Sequence, residues 1–140
     1  MSVDPSTDGA YMQRRFAAPP ERVFDAWTDP ALARQWLLTV LIGKISALEM
    51  DAGVGGVYRL TGDRLEAFGE FLELDRPRRL VMTFGVPVQG PSSERLVVEI
   101  APSGTGSELS LTKEGMPTEI GQELQQDWNR MFDLLKAAIR

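Results

Sequence analysis

The chain contains no cysteine and no histidine among its 140 residues. Without cysteine it has neither a disulfide framework nor thiolate chemistry, which fits a reducing compartment. Without histidine, Ser-His-Asp and Cys-His machinery and imidazole metal sites are excluded. General acid–base work would fall to Asp, Glu, Lys or Tyr with shifted pKa values. An excess of positive charge is also missing. The formal net charge is −5, which argues against nucleic acid or an anionic membrane surface as the main partner. No apolar run reaches the roughly 18 residues a membrane-spanning helix needs. The first residues, MSVDPSTDG, lack the basic and apolar regions of a signal peptide, and residues 1–10 read as a disordered lead to a cytoplasmic protein. Asp51, Asp63 and Asp75 are too scattered for a metal site, and Gly53, Gly55 and Gly56 form a turn without a phosphate-loop pattern. No metal or cofactor is expected.

What remains is ordinary for one globular domain, with 43% hydrophobic and 25% charged residues. Residues 11–17 read as a first strand. Pro20 suits the first turn of a short helix with Val23, Phe24 and Trp27 on its apolar face. Asp29 can cap and Pro30 open a second short helix, buried through Leu32 and Trp36. The apolar run 37–42 has no clear period, so a buried strand and a loop over a pocket mouth are equally open. Six strand signals follow, over 45–51, 57–61, 65–74, 80–86, 94–101 and 107–113, with short turns that predict an antiparallel meander. Gly69, inside one strand, suggests a bulge or a close backbone approach. Arg76, Arg78 and Arg79 form a local basic cluster whose plain reading is a solvated turn.

The last segment carries the clearest pattern. Ile120, Leu124, Trp128, Met131, Leu135 and Ile139 are three or four residues apart, flanked by Phe132, so a helix places them on one face. Alternation points Tyr58 and Leu60, Met82 and Phe84, Leu96 and Val98, and Leu109 and Leu111 to one sheet face, with Phe71 joining if Gly69 carries a bulge. Glu99, Ser110 and Thr112 then face water. The expected architecture is α+β, a long helix laid against an antiparallel sheet.

Several local signatures carry a family resemblance: Phe16-Ala17-Ala18-Pro19 with Val23, Ala26-Trp27-Thr28-Asp29-Pro30, and Trp36. Gly55-Gly56, Gly69, Leu72-Glu73-Leu74-Asp75 with Pro77 and Leu80, and Leu109 to Gly115 add to it, and Trp128 completes the set. In order and spacing these resemble the START-like superfamily known as SRPBCC, and within it the bacterial family homologous to the activator of the heat-shock-protein-90 ATPase. The likeness covers roughly residues 11–140. It departs at Leu37-Leu38-Thr39, where family members often carry a second Trp and a Gly-Pro, and at Lys113, where they often carry His. The resemblance implies a helix-grip fold, a curved sheet wrapped around the C-terminal helix and an apolar cavity. It also implies ligands among lipids, sterols, polyketides or hormones, a stress-response role, and a chaperone partner for the eukaryotic namesake.

The candidate ligand-binding residues on the sheet are Tyr58, Phe71, Met82, Phe84, Leu96, Val98, Leu111 and Lys113. Trp36, Trp128, Met131 and Phe132 complete the set from the helices. Taken singly, each of these side chains reads first as core; the cavity expectation for the set comes from the resemblance. The leading expectation is a domain that binds a small apolar molecule and has no catalytic residue. The alternatives are a protein-interaction module with a chaperone or homodimer partner, and a cyclase- or dehydratase-like enzyme using Tyr58, Glu70 or Lys113.

Overall fold

The computed structural model describes residues 9–83, 95–114 and 118–139. Strand β1 spans Gly9–Phe16 and is followed by three short helices, α1 (Pro20–Thr28), α2 (Pro30–Ala33) and α3 (Thr39–Ile42). Six strands come next: β2 (Ile45–Met50), β3 (Val57–Gly62), β4 (Glu66–Asp75), β5 (Arg79–Thr83), β6 (Arg95–Ser103) and β7 (Gly106–Glu114). Helix α4 (Thr118–Ala138) ends the order. β1 thus begins inside the stretch expected to be a disordered lead. Residues 1–8, Phe84 and the Gly/Pro/Ser segment 87–93 lie outside the described residues.

The short helices follow their local chemistry. Pro20 occupies the first turn of α1, where a missing N–H costs nothing. The Asp29 carboxylate accepts from the Ala31 N–H at 3.0 Å and caps α2. Residues 37–42 are neither the strand nor the loop expected. They turn after Trp36 and close as α3, with Leu37, Leu38 and Ile42 fully buried. Tertiary contacts hold this turn. The Ile42 carbonyl accepts from the Arg64 N–H at 2.9 Å and the Leu65 N–H at 3.2 Å. Leu38 opens α3 at φ 60°, in the left-handed region that glycine adopts without strain.

The strands form one curved antiparallel sheet in the order β1-β7-β6-β5-β4-β3-β2. The meander from β2 to β7 is as expected, and β1 pairs beside β7 along its whole length. Pairing aligns side chains into rows across the inner face. One row runs Phe71, Met82, Leu96, Lys113, and the next runs Leu80, Val98, Leu111, Met12. All eight are buried. Helix α4 lies on this face through Trp128, Met131, Phe132 and Leu135, with Ile139 just past its end, all buried, while Asn129, Arg130 and Asp133 face water. Polar contacts fix its position. Arg14 on β1 pairs with Asp133 and donates to the Asn129 carbonyl at 3.2 Å, and Arg22 on α1 donates to the Ile139 carbonyl at 2.7 Å.

The arginines of the β4–β5 turn and the start of β5 are matched in charge. Arg76 holds Asp25 through two bonds of 2.8 and 2.9 Å, Arg78 meets Asp75 at 3.0 Å, and Arg79 bridges Glu73 and Glu99 at 2.7 and 2.9 Å. The cluster therefore presents little unbalanced positive charge. No helix among the described residues is long and apolar enough to cross a membrane.

Candidate functional site

Two groups of side chains meet between the sheet and α4. The first is aromatic and comes mainly from the helices. Trp27 of α1 meets Trp36 edge-on at 4.7 Å between ring centroids and stacks on Trp128 at 5.9 Å. Phe132 lies within 5.7–6.4 Å of all three indoles and touches Phe16 at the end of β1. All three tryptophans of the chain are thus in one cluster, and offset or edge contacts of this kind add to what ring burial alone contributes. The Trp36 N–H donates to the Ala26 carbonyl at 2.9 Å. The indole N–H groups of Trp27 and Trp128 are buried without a hydrogen-bond partner among the described residues.

The second group comes from the sheet. Phe71, Met82 and Leu96 form the apolar part of a cross-strand row, and Lys113 continues that row on β7. The strand parity that aims Leu109 and Leu111 inward aims Lys113 the same way, and the structure buries it completely. Its ammonium is 6.0 Å from the centre of the Trp128 ring, at the outer range of a cation–π contact. Tyr58, on β3, packs against Phe71 at 5.7 Å and reaches across β4 to donate to the Thr83 carbonyl on β5 at 2.6 Å. Gly69 makes this crossing possible. A Cβ there would be 2.1 Å from the Thr83 oxygen and 2.6 Å from the Tyr58 hydroxyl. The expected close approach is therefore present at Gly69, and a register shift follows between Phe71 and Glu73. Burial pushes the Tyr58 phenol well above its ordinary range, so it stays neutral.

Of the expected site residues, the structure brings Trp36, Tyr58, Phe71, Met82, Leu96, Val98, Leu111, Lys113, Trp128, Met131 and Phe132 into one buried core, and Phe84 lies outside the described residues. These side chains are almost wholly covered in this conformation. One hollow of 420 Å³ is lined by Glu49, Val57, Tyr58, Arg59, Phe68 and Gly69, so of the expected site residues it touches Tyr58 alone. Glu70 is exposed. No cluster of metal-ligating side chains occurs among the described residues. Sequence reasoning left Trp27 out of the site. Its place on the apolar face of α1 was legible, but its stacking on Trp128 depends on how α1 and α4 meet.

The model of the family described as Activator of Hsp90 ATPase homolog 1-like protein matches residues 17–140. The chain belongs to this family. Among solved structures, protein CV1439 from Chromobacterium violaceum is similar to this family member over 94% of this chain and 96% of its own, with 28% identity and a TM-score of 0.79. CalU16 from Micromonospora echinospora is similar over 92% of this chain and 74% of its own, with 25% identity and a TM-score of 0.72. PFC0360w, an HSP90 activator from Plasmodium falciparum, is similar over 79% of this chain and 74% of its own, with 26% identity and a TM-score of 0.63. No curated protein matches the chain. The fold is the helix grip that the resemblance implied.

Proposed function

We propose that the protein binds a small, mainly apolar molecule between the inner face of the sheet and α4. The observation that carries this reading is the presence of buried polar groups in an interface otherwise built from apolar side chains. The indole N–H groups of Trp27 and Trp128 are buried without a partner among the described residues. A layer selected only for stability gains from apolar side chains at such positions, because burying unmatched donors costs free energy. Because the lining side chains are covered, binding requires α4 to part from the sheet, a shift between two packings of the same core.

Native mass spectrometry of the freshly purified full chain tests the proposal. A co-purified apolar compound is expected, and Leu96→Trp, which fills the row beside Met82 and Lys113, is expected to displace it. A bare chain, together with tryptophan emission unchanged by a saturating anilinonaphthalene-sulfonate dye, would overturn it.

Family membership and the likeness to the Plasmodium HSP90 activator support a second reading, a module that contacts a chaperone. In that case the protein stimulates a chaperone ATPase in a purified assay, and Leu96→Trp leaves the stimulation intact. The pairing of Arg76, Arg78 and Arg79 with carboxylates weighs against a contact driven by their charge.

A further inference from the structure

We infer that the bound molecule carries an oxygen acceptor with no donor of its own, as in a ketone or an ester, and that this oxygen meets the indole N–H groups of Trp27 and Trp128. The inference rests on the binding reading above and adds the ligand's chemical class. Three other buried side-chain donors are matched by backbone carbonyls. The Trp36 N–H donates to the Ala26 carbonyl at 2.9 Å, the Tyr58 hydroxyl to the Thr83 carbonyl at 2.6 Å, and the Ser107 hydroxyl to the Ala18 carbonyl. Trp27 and Trp128 depart from this pattern together. Their rings stack at 5.9 Å with 23° between the planes, both are buried, and neither N–H has a partner among the described residues. A buried donor left unmatched carries its full desolvation cost, which an acceptor on a ligand offsets. An indole N–H donates and cannot accept, so the pair selects for an acceptor. A carbonyl oxygen offers two lone pairs and adds no donor, whereas an alcohol or an amine brings a hydrogen that requires an acceptor of its own. The neighbouring interface offers little to such a hydrogen, since Phe71, Met82, Leu96, Met131 and Leu135 are apolar and buried. The Trp128 ring also faces the β7 end of the sheet row, 6.0 Å from the Lys113 ammonium. An oxygen at the indoles therefore leaves a hydrocarbon body to lie along Leu96, Met82 and Phe71.

A matched pair of probes tests this. Propiophenone and propylbenzene share a skeleton and differ by a carbonyl in place of a methylene, and an apolar site without a donor favours the hydrocarbon. The three tryptophans of the full chain give three indole N–H signals in a ¹H–¹⁵N spectrum, and hydrogen bonding moves such a signal downfield. Trp36, already bonded, is the internal reference. Propiophenone is expected to move the Trp27 and Trp128 signals downfield saturably and to leave Trp36 at its bonded position, while propylbenzene moves none of them downfield. Propiophenone should also bind at least as tightly as propylbenzene. Trp27→Phe and Trp128→Phe each remove one signal, which assigns the spectrum, and each should shift the affinity ratio towards the hydrocarbon by about threefold or more. If propylbenzene binds the wild-type chain more tightly, or the ketone leaves either signal in place, the inference about the oxygen fails and the binding reading stands. If neither probe binds, both fail. Trp27 and Trp128 signals already at the bonded position in the free chain would mean that a buried water satisfies them, and would overturn the inference. Should the variants fail to fold, the wild-type titration still decides, because two of the three signals must move and one must not.

Discussion

The aromatic cluster and the cross-strand row meet at Trp128 but solve different problems. Trp27, Trp36, Trp128 and Phe132 join three separate chain segments through ring contacts of 4.7–6.5 Å. They bury large apolar surfaces where helices must be fixed to one another, and the Trp36 N–H is matched by a backbone carbonyl. The row Phe71, Met82, Leu96, Lys113 lies on paired strands whose geometry the backbone ladder already fixes. Side chains there are freer to serve something other than stability, and the row accommodates a buried ammonium. The difference assigns the docking of α4 to the cluster and the proposed binding to the row.

The largest test of this division is Trp128→Ala. An indole packed on several sides is expected to cost about 3–5 kcal/mol in urea unfolding. A loss below about 1 kcal/mol would mean that α4 is not held through this face. On the sheet side, Gly69→Ala puts a Cβ 2.1 Å from the Thr83 carbonyl oxygen, a backbone atom that cannot swing away. About 1–3 kcal/mol of destabilisation is expected from this crowding, and an unchanged unfolding midpoint would contradict the Tyr58 crossing.

A smaller effect tests the neutrality of Tyr58. Its phenol is raised above the ordinary value of 10.0 by burial. The unfolded chain therefore releases this proton near pH 10 while the folded chain retains it, so the folded state binds more protons and stability falls as pH rises beyond that point. The loss is about 1.4 kcal/mol per pH unit for this group. Tyr58→Phe should show a shallower decline above pH 10 and the same slope below it. Equal slopes above pH 10 would place the phenol in water.

The smallest effect concerns Leu38. At ordinary helical positions alanine is more stabilising than glycine by about 0.5–1 kcal/mol. At φ 60° the order should reverse, with Leu38→Gly more stable than Leu38→Ala by about 1 kcal/mol in thermal or urea unfolding. Both variants lose the buried leucine, so the comparison isolates the backbone. The usual order would mean that residue 38 is not left-handed.

Legibility followed how local each feature is. Period-two alternation placed Leu96, Val98, Leu109 and Leu111 on the inner face, and the three-or-four spacing placed Trp128, Met131 and Leu135 on one side of α4. Proline and aspartate marked the starts of α1 and α2. The run 37–42 resisted reading because its helix depends on hydrogen bonds from Arg64 and Leu65, more than twenty residues away in sequence. Parity gave the direction of Lys113 but not its depth, which depends on α4 covering the sheet. The site was therefore legible as a face and not as a set of partners, and the Trp27–Trp128 stack could not be read from either helix alone.

The central claim is that the sheet-side row can admit a small molecule. Methyl resonances of ¹³C-labelled methionine test it most directly, because Met82 is within the row and Met50 is on the edge strand β2. Titration with decan-1-ol should move the Met82 methyl signal saturably and leave Met50 near its starting position. A Met82 signal unmoved at the solubility limit of the probe would contradict the account and leave the interface between sheet and helix as solid core.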